Sequence, residues 1–543
     1  MQKRKFWGWG YQDQVLSNEE DTAIESLIAA HFSLNEVPKL PIPQAEDIDL
    51  PVPRVKIPPI LQNVLSGNHL ERLNHSYGKS FPDLARAMLK QFPHPPDLVA
   101  FPEDQEDVVN ILDWSDQNNI AVIPYGGGSS VCGGVETYVG DDYSGVISLD
   151  LRNLDQVLEV DKTSRAARIQ AGIFGPALEK ELRKSDLTLR HFPQSFEHST
   201  LGGWIATRSG GHFATLYTHI DDFVESTTMV TPTGVIESRR LPGSGAGPSP
   251  DRMVIGSEGI LGVITEAWMR LQDRPVFRSS CSVEFEDYQN ALNATRLISQ
   301  SGLYPANCRL LDANEALFNR AGDGSKHILI LSFESADHEL GIWLDRALEI
   351  ASSEGGHYEK LQEKETEAHR SGASGTWRNS FLRAPFNRDA AVRRGIIWDT
   401  FETSITWDHS LDFIESIKEK TRKAIHEISG RETNVTCRLT HTYPDGCAPY
   451  FSYTAYATPS TMLDVWKQIK IATNEMVVAE GGTVTHHHAV GRDHRINGYD
   501  VQRPSGFKDM LTAAKSSVDP RSIMNPGALI DSGKGKIGHW MEN

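Results

Sequence analysis

Apolar residues recur along this 543-residue chain at two spacings, one typical of strands and the other of helices. Asp97–Pro102 has the pattern of a short strand, and Glu103–Asn119 has the spacing of a helix with Asp104 near its N-cap. Apolar runs in Ile120–Gly126 and Ser144–Leu151 predict two further strands. Together with the hairpins described next, these elements predict an α+β fold class, with strands and glycine loops interleaved over residues of about 96 to 275.

Turn residues place two hairpins and a helix farther along the chain. Gln156–Gly172 predicts two antiparallel strands around a turn at Asp161–Ser164, and Thr227–Ser238 predicts a hairpin that turns at Pro232–Gly234. Between the hairpins, Gly175–Asp186 has the pattern of an amphipathic helix. These elements extend the α+β unit toward the middle of the chain.

The chain is too long for a single hydrophobic core, so several domains are expected. The first part is helical, with a proline-rich stretch at Leu40–Pro59 that predicts an extended strap across the surface. Longer helical and strand patterns begin after Pro275. The predicted limits of the four regions are residues 1–94, 95–275, 276–490 and 491–543.

Composition narrows the class of protein. A formal net charge of −18 argues against nucleic acid as a partner, because binding to phosphate chains requires a positive surface. No apolar run approaches the roughly 18 residues that a membrane-spanning helix needs, and the basic N-terminus lacks the apolar segment of a secretory signal. A cytoplasmic protein is therefore expected.

The five cysteines are scattered, odd in number and form no CxxC pair, which argues against structural zinc and against a disulfide framework. Cys132 lies in a glycine-rich stretch and could be a nucleophile. Small buried cysteines more often only pack, and that interpretation is favoured here.

Three glycine-containing loops can each bind an anion through exposed backbone N–H groups. The first loop, Ile123–Gly134, matches neither the Walker phosphate loop nor a dinucleotide-binding turn. The second loop, Phe192–His212, has hydroxyls and glycines before an apolar, helix-like stretch. The third loop, Met253–Leu271, contains a Gly-Ser-Glu-Gly turn. Together they suggest one long ligand with a diphosphate in its middle.

The order of these loops resembles the FAD-binding domain of the vanillyl-alcohol-oxidase flavoprotein superfamily, and Asp519–Gly527 resembles its closing segment. The resemblance implies a two-subdomain FAD domain, an α+β cap domain, and helical N- and C-terminal segments, the last returning to the FAD domain. It assigns flavin contacts to Pro124, Tyr125, Gly126, Gly127, Gly128, Ser129, Ser130, Pro193, Gln194, Ser195, Phe196, Glu197, His198, Ser199, Thr207, Arg208, Ser209, Gly210, Gly256, Ser257, Glu258, Gly259, Ile260, Leu261 and Gly262.

Many relatives attach the flavin covalently through a histidine in the first loop. Here Ser129 and Ser130 follow the glycines at that point. The expectation is therefore noncovalent FAD.

Segments outside the FAD domain resemble the alkyldihydroxyacetonephosphate synthase family of ether-lipid synthesis. The matching segments are Trp7–Tyr11, Cys308–Asp312, Asp399–Asp408, Cys437–Tyr453 and Gly481–His494. The resemblance spans nearly the whole chain. It implies replacement of the fatty acyl ester of acyl-dihydroxyacetone phosphate by a fatty alcohol, which gives an ether with no net redox change.

The same resemblance implies roles for three side chains. Arg309 matches a catalytically important arginine, and a salt bridge at a domain interface is the alternative. Arg388 stands thirteen residues before Phe401, where the family binds substrate phosphate, and a planar guanidinium suits that ligand. Tyr450 matches an acid/base tyrosine, which needs a cationic neighbour because its ordinary pKa is about 10. A solvated helix charge and a core tyrosine are the respective alternatives.

Three consecutive histidines, His486, His487 and His488, form the most distinctive motif, the histidine triplet. Alternating residue types predict a strand over Thr483–Val490, with His486 and His488 on one face and His487 on the other. The resemblance makes all three important to activity as acid/base and polarising groups. Zinc, with His494 or Asp493 as a further ligand, is the alternative. Because there is no HExxH motif, cysteine pair or acidic cluster, no metal is predicted.

The first function hypothesis is an FAD-dependent synthase of this type, acting on a phosphorylated lipid and a fatty alcohol. The second is an FAD-linked dehydrogenase or oxidase of a 2-hydroxy acid such as D-lactate or glycolate, and the third is a non-catalytic flavoprotein. A homodimer and peripheral contact with a membrane are expected, and nucleic acid is not. The chain shows no peroxisomal address, which favours a cytoplasmic enzyme of bacterial type.

Overall fold

The computed structural model of the chain describes residues 3–213, 215, 217–359 and 386–531. Its helices are α1 (Asn18–Phe32), α2 (His69–Asn74), α3 (Phe81–Met88), α4 (Gln105–Gln117), α5 (Gly175–Arg183), α6 (Leu201–Thr207), α7 (Asp251–Val254), α8 (Tyr288–Gln300), α9 (Ala313–Phe318), α10 (Gly341–Ser353), α11 (386–392), α12 (Ser410–Ser429), α13 (Met462–Ala479), α14 (Asp500–Gln502) and α15 (Ser505–Val518). Its strands are β1 (Leu65–Ser66), β2 (Leu98–Ala100), β3 (Ile120–Tyr125), β4 (Gly145–Asp150), β5 (Val157–Asp161), β6 (Ala166–Gln170), β7 (Leu187–Thr188), β8 (Val224–Thr231), β9 (Gly234–Glu237), β10 (Val263–Arg270), β11 (Gln272–Asp273), β12 (Phe277–Phe285), β13 (Asn307–Leu311), β14 (His327–Ser335), β15 (Ile397–Glu402), β16 (Ile405–Thr406), β17 (Val435–Thr442) and β18 (Gly446–Ala455).

A four-stranded sheet presents the first loop at the end of β3. Its strand order is β1-β2-β4-β3, and both β2 and β3 run parallel to β4. Helix α4 connects β2 to β3 and begins after Asp104, whose carboxylate accepts the N–H of Asp107 at 2.9 Å. The predicted strands, helix and N-cap are confirmed.

An antiparallel five-stranded sheet follows, with the order β5-β6-β10-β8-β9. Both predicted hairpins are present, and α5 is the predicted amphipathic helix. The second hairpin turns at Pro232 and Thr233, because Thr231 already pairs with Gly234. The buried faces of this sheet and of the four-stranded sheet share one hydrophobic core.

Strands β12 to β18 form a seven-stranded antiparallel sheet, the cap sheet. Cys308, Leu310 and Phe451 lie in a core that also contains residues of α8, α10, α12 and α13. Asn307 and Arg309 lie on the opposite face, as the alternation of a strand requires, and line a cavity. The cap sheet is thus apolar toward its helices and polar toward the cavity.

The N-terminal segment packs against both halves of the molecule. Arg4 Nη1 donates to the carbonyl oxygen of Gly127 at 3.0 Å, and the Trp9 N–H donates to Asp389 Oδ2 at 2.9 Å. Trp7 and Trp9 belong to the same hydrophobic core as the cap sheet. The segment therefore ties the first loop to the region of α11.

The chain returns to the four-stranded sheet after α15. Met524 forms a parallel bridge with Val122 of β3, and Asn525 Nδ2 donates to the carbonyl oxygen of Glu258 at 2.7 Å. These contacts place the closing segment beside the first and third loops, while the four domain limits stay a prediction. Within the described ranges, no helix has the length and apolar character needed to cross a bilayer.

Candidate active site

A cavity of about 1700 Å³ lies between the three loops and the polar face of the cap sheet. Arg309 and Tyr450 line it from the cap sheet, and His487 and His488 line it from the histidine triplet. Sites for one small molecule usually occupy roughly 300–1,000 Å³. The cavity therefore has room for a cofactor and for a second, long molecule.

The first loop packs directly against the second. A Cβ atom on Gly127 would lie 1.9 Å from the carbonyl oxygen of His198, and one on Gly126 would lie 2.3 Å from Thr200 Oγ1. The sequence suggested that these glycines permit the approach of a phosphate. The contact between the two loops already requires them, whatever ligand binds.

Most of the residues that the resemblance assigned to flavin binding line the cavity. They are Pro124, Tyr125, Gly126, Gly127, Gly128, Ser129, Ser130, Pro193, Gln194, Ser195, Phe196, Glu197, His198, Ser199, Thr207, Ser209, Gly210, Glu258, Gly259 and Gly262. The five that lie outside its lining are Arg208, Gly256, Ser257, Ile260 and Leu261. Arg208 instead pairs with Asp221 at 2.9 Å, and Ile260 and Leu261 are part of the hydrophobic core.

Glu258 joins the third loop to the residues that follow the histidine triplet. Its carboxylate accepts the N–H groups of Val490 at 2.8 Å and Gly491 at 2.7 Å. Burial raises the pKa of Glu258 to about 7, although both N–H donors oppose the shift. The side chain thus positions backbone at the edge of the cavity.

The histidine triplet lies in an irregular loop, so the predicted strand is wrong. The reason is Glu402, which the sequence did not single out. Its buried carboxylate accepts the N–H groups of His486 at 2.6 Å, His487 at 3.1 Å and His488 at 3.0 Å. Successive N–H groups of a strand point in opposite directions, whereas here they converge on one carboxylate.

The predicted distribution of the three rings is wrong for the same reason. His487 and His488 both line the cavity, whereas His486 bonds to Tyr443 at 2.6 Å and lies 3.2 Å from a ring nitrogen of His219. Burial lowers the pKa of His486 and of His487 well below the ordinary value. These imidazoles are therefore neutral at physiological pH.

The pKa of Glu402 is lowered although the carboxylate is buried. Desolvation alone would raise its pKa, but His488, His486, the Thr485 hydroxyl and the His487 N–H lower the pKa to about 2. The carboxylate is therefore charged at neutral pH, beneath the triplet.

One group of three histidines has the spacing of a metal site. Ring nitrogens of His441, His486 and His487 lie within 4.8 Å of one another. His441 uses both of its nitrogens in hydrogen bonds, Nε2 with the Gly211 carbonyl oxygen at 2.7 Å and Nδ1 with the Thr440 hydroxyl at 3.1 Å. A metal ion bound to His441 would have to displace one of these hydrogen bonds. That the three histidines act without a metal stays a prediction.

Tyr450 has the cationic neighbour that its predicted role requires. The guanidinium of Arg438 lies 3.9 Å from the ring centroid, and the Tyr450 hydroxyl lies 2.9 Å from Thr400 Oγ1. Burial nevertheless raises the pKa of Tyr450, and Arg438 and Thr400 only reduce that shift. The side chain is protonated in the resting site.

The two predicted arginines lie in the cavity wall. Arg309 donates to His212 Nδ1 at 3.2 Å, and burial together with Arg438 lowers the pKa of Arg309 to about 9, so it stays charged at neutral pH. Arg388, on α11, donates through Nη2 to Asp399 at 2.7 Å. Its Nε is buried and has no hydrogen-bond partner among the described residues, which leaves a donor for a ligand.

Comparison with known proteins agrees with this arrangement. A family model described as FAD binding domain matches residues 96–238, and one described as FAD linked oxidases, C-terminal domain, matches residues 274–529. The alkyldihydroxyacetonephosphate synthase of Dictyostelium discoideum is 30% identical over 96% of this chain and 87% of its own length. The chain belongs to the alkyldihydroxyacetonephosphate synthase family.

Two further members support the assignment. The alkyldihydroxyacetonephosphate synthase of Trypanosoma brucei brucei is 28% identical, over 89% of this chain and 82% of its own length. A solved alkyldihydroxyacetonephosphate synthase structure has a TM-score of 0.78 at 26% identity and covers 96% of this chain and 98% of its own. The predicted α+β fold, with an FAD domain and a cap, is confirmed.

FAD is the cofactor of this family member. The described residues fit it, because the three loops border a single large cavity. Within the lining, Asn307 Oδ1 and Arg388 Nε are buried and have no hydrogen-bond partner in the part of the chain that the structure describes. Such atoms are satisfied when a polar ligand binds.

The sequence prediction missed Glu402, Arg438, His441 and Tyr443, which the structure places against the histidine triplet or Tyr450. Each lies inside a segment that resembles the family, but its role depends on partners far away in the chain. Glu402 binds residues more than eighty positions later, and His441 binds Gly211. A buried acidic residue inside an apolar strand, as in "TFET", was the available signal for Glu402.

Proposed function

We propose that the chain is an alkyldihydroxyacetonephosphate synthase that replaces the acyl ester of acyl-dihydroxyacetone phosphate by a fatty alcohol and releases a carboxylate. The observation that carries the proposal is one cavity lined by the flavin loops, by Arg309 and Arg388, and by Tyr450 with the triplet. Beyond the space that FAD takes, the cavity of about 1700 Å³ leaves more room than a small 2-hydroxy acid needs. Family membership supports the same conclusion.

Arg388 is suited to bind the substrate phosphate. Its Nη2 is fixed by Asp399 at 2.7 Å, which orients the guanidinium, while its buried Nε remains available. Arg309 adds positive charge to the same wall, whereas the charge of Arg438 is paired with buried Glu315. A dianionic phosphate is stabilised by such charge-assisted hydrogen bonds.

The apolar end of the cavity is suited to hydrocarbon chains. It is lined by Ile24, Leu27 and Ile28 of α1 and by Leu317 and Phe318 at the end of α9. Leu27 and Phe318 are exposed on their outer sides, at 63% and 46%. A long chain can therefore extend from the cavity toward solvent or a membrane surface.

When bound, FAD supplies the reversible electron-pair chemistry through which one oxygen substituent of the substrate is replaced by another without net oxidation. The protein must hold the reacting carbon near the triplet and accept the proton of the alcohol. His487 and His488 are neutral and line the cavity, which makes them bases for that proton. Tyr450 is protonated in the resting site and can donate a hydrogen bond to a substrate oxygen.

Noncovalent binding of FAD belongs to the same proposal. In the first loop, Ser129 and Ser130 take the place of a nucleophilic histidine. The thiol of Cys132 donates to the carbonyl oxygen of His488 at 3.2 Å, and burial raises its pKa well above the ordinary value, so it is a poor nucleophile. Cytoplasmic location, peripheral membrane contact and a homodimer are proposed with it.

A turnover assay tests the proposed function. Purified enzyme with palmitoyl-dihydroxyacetone phosphate and hexadecanol should yield hexadecyl-dihydroxyacetone phosphate and palmitate, detected by mass spectrometry. In a parallel anaerobic sample, D-lactate and glycolate should leave the flavin absorbance unchanged. Absence of the ether together with rapid bleaching by either hydroxy acid would establish the dehydrogenase instead.

A further inference from the structure

Four side chains form an unbroken line of contacts from the cavity toward the protein surface. His487 lines the cavity, and its Nδ1 lies 3.1 Å from His486 Nδ1. His486 Nε2 lies 2.6 Å from the hydroxyl of Tyr443, which lies 2.9 Å from His219 Nε2. All four side chains are partly exposed, and Arg208, whose carbonyl oxygen bonds to His219, is an exposed residue. The line therefore leads from the cavity lining to the exposed residue Arg208.

The outer end of this line determines where the protons are. His219 Nδ1 lies 3.2 Å from the Arg208 carbonyl oxygen, which can only accept, so Nδ1 carries the proton and Nε2 has the lone pair. The Tyr443 hydroxyl then donates to His219 and accepts from His486 Nε2–H. His486 Nδ1 in turn accepts from His487 Nδ1–H. Every donor points from the cavity toward the surface.

The reverse order is unfavourable for a simple geometric reason. Because the Arg208 carbonyl keeps the proton of His219 on Nδ1, a reversed His486 would leave lone pairs on both His486 Nε2 and His219 Nε2, which lie 3.2 Å apart and would share the single proton of Tyr443. Because burial keeps His486 and His487 neutral, each ring has one proton and one lone pair, as a relay requires. In the order described above, the lone pair of His487 is on Nε2.

We propose that His487, His486, Tyr443 and His219 form a proton relay that removes the proton of the substrate alcohol from the cavity. This inference rests on the proposed function, in which an alcohol and an ester give an ether, a carboxylate and one proton. The alcohol O–H transfers its proton to His487 Nε2, each group passes on the proton it carries, and His219, which then has a proton on both ring nitrogens, releases one to water. Only N–H and O–H bonds form and break along the relay.

Tyr443 and His219 are therefore relay residues that act through His486 and His487. The Thr218 hydroxyl, which also hydrogen-bonds Tyr443, supports the phenol without interrupting the line. After each turnover the rings must return to their starting tautomers, so several protons are in motion. The turnover rate should be lower in deuterium oxide than in water. Its dependence on the deuterium fraction should show that more than one proton is transferred.

Two variants test the relay in the FAD-loaded enzyme. His219→Gln preserves hydrogen bonding but cannot carry a proton, so kcat should fall by about 10- to 100-fold with KM and FAD content unchanged. Added imidazole should restore its activity in proportion to concentration, because it substitutes for the missing ring. Tyr443→Phe interrupts the middle of the line. Its activity should also fall, and added imidazole should not restore it.

The matched control is His338→Gln, whose side chain is 53% exposed and lies outside the relay. It should behave as wild type with and without imidazole. A His219→Gln enzyme with wild-type kcat, or with a loss that imidazole does not restore, would overturn the relay. Loss of FAD in that variant would indicate a structural role and would also overturn it.

A spectroscopic measurement separates the relay from the proposed function. In ¹⁵N-histidine-labelled, FAD-loaded enzyme, the ring shifts should show Nδ1–H on His219 and His487 and Nε2–H on His486, assigned through single variants. Nε2–H with a bare Nδ1 on His219 would refute the proposed order. If the wild type makes no ether, the proposed function fails, and the tautomers still decide whether the line exists.

Discussion

At the scale of single residues, the carboxylate of Glu402 accepts the N–H groups of three successive histidines, which a strand could not present together. Its pKa is lowered to about 2, so the negative charge persists at neutral pH. The sequence identified the histidines by their unusual repetition. It could not identify Glu402, because one buried acid inside a strand gives no periodic signal and its partners are distant in the chain.

Removal of either of two cavity-lining groups, the Tyr450 hydroxyl or the His488 imidazole, should abolish turnover. Tyr450→Phe loses the hydroxyl, and His488→Ala loses an imidazole. Neither residue belongs to the three loops, so both variants should retain FAD by visible absorbance. Tyr304→Phe, at a tyrosine that is 52% exposed, is the control and should be fully active. Near-normal rates in both site variants would contradict the assignment.

The pH dependence of stability can be tested at His191, which is buried against Trp204. Burial lowers its pKa to about 3, whereas the unfolded ring has an ordinary pKa of about 6.5. As the pH falls, the unfolded state therefore binds the proton before the folded state does. Below about pH 6.5, the titration of His191 should lower the free energy of unfolding of wild type by about 1.4 kcal/mol per pH unit.

His191→Gln lacks this titration, so its deficit in Tm relative to wild type should shrink from pH 7.5 to pH 5. The comparison cancels the titration of all other groups, including carboxylates whose pKa is raised by burial. A deficit that stays constant or grows as the pH falls would contradict the neutral, buried state of His191.

At the scale of elements, hydrophobic periodicity was sufficient for β2, α4, β3 and β4 and for both hairpins, because their apolar faces are local features of the sequence. The loop at the histidine triplet was mistaken for a strand for the opposite reason. Its shape depends on a carboxylate supplied by β15. The strand order of the cap sheet could not be predicted from the sequence either, since pairs such as β13 and β17 join residues far apart in the chain.

The contact between the first and second loops can be tested at Gly127. An alanine there would place Cβ 1.9 Å from the His198 carbonyl oxygen and force the loops apart. We expect Gly127→Ala to lower stability by about 1–3 kcal/mol and to reduce the flavin content of purified protein, measured by the ratio of visible to ultraviolet absorbance. Gly243→Ala, where a Cβ meets nothing within 4 Å, should change neither. Full flavin content in Gly127→Ala would contradict the account.

At the scale of the whole molecule, the site exists only where distant parts of the chain meet. The N-terminal segment contacts Gly127 and Asp389, and the closing segment contacts Glu258. The family resemblance identified these segments as parts of the fold, but composition and spacing could not show which residues they contact. The three loops, by contrast, were identified from local glycine patterns and do border one cavity.

The mode of cofactor binding is a property of the assembled cavity. Because the described lining of the first loop offers serines and a buried Cys132 thiol, FAD should bind without a covalent bond. Purified enzyme should be yellow, and acid precipitation should leave the flavin in the supernatant. Free FAD run through the same procedure is the control, and colour retained in the washed pellet would contradict noncovalent binding.

The central claim is that the alcohol replaces the ester oxygen on the substrate carbon, and an isotope experiment tests it most directly. Enzyme is incubated with palmitoyl-dihydroxyacetone phosphate and ¹⁸O-labelled hexadecanol, and the products are analysed by mass spectrometry. The account predicts that ¹⁸O appears in the ether and that the released palmitate is unlabelled. Label in a palmitate ester of hexadecanol, with no ether formed, would contradict it.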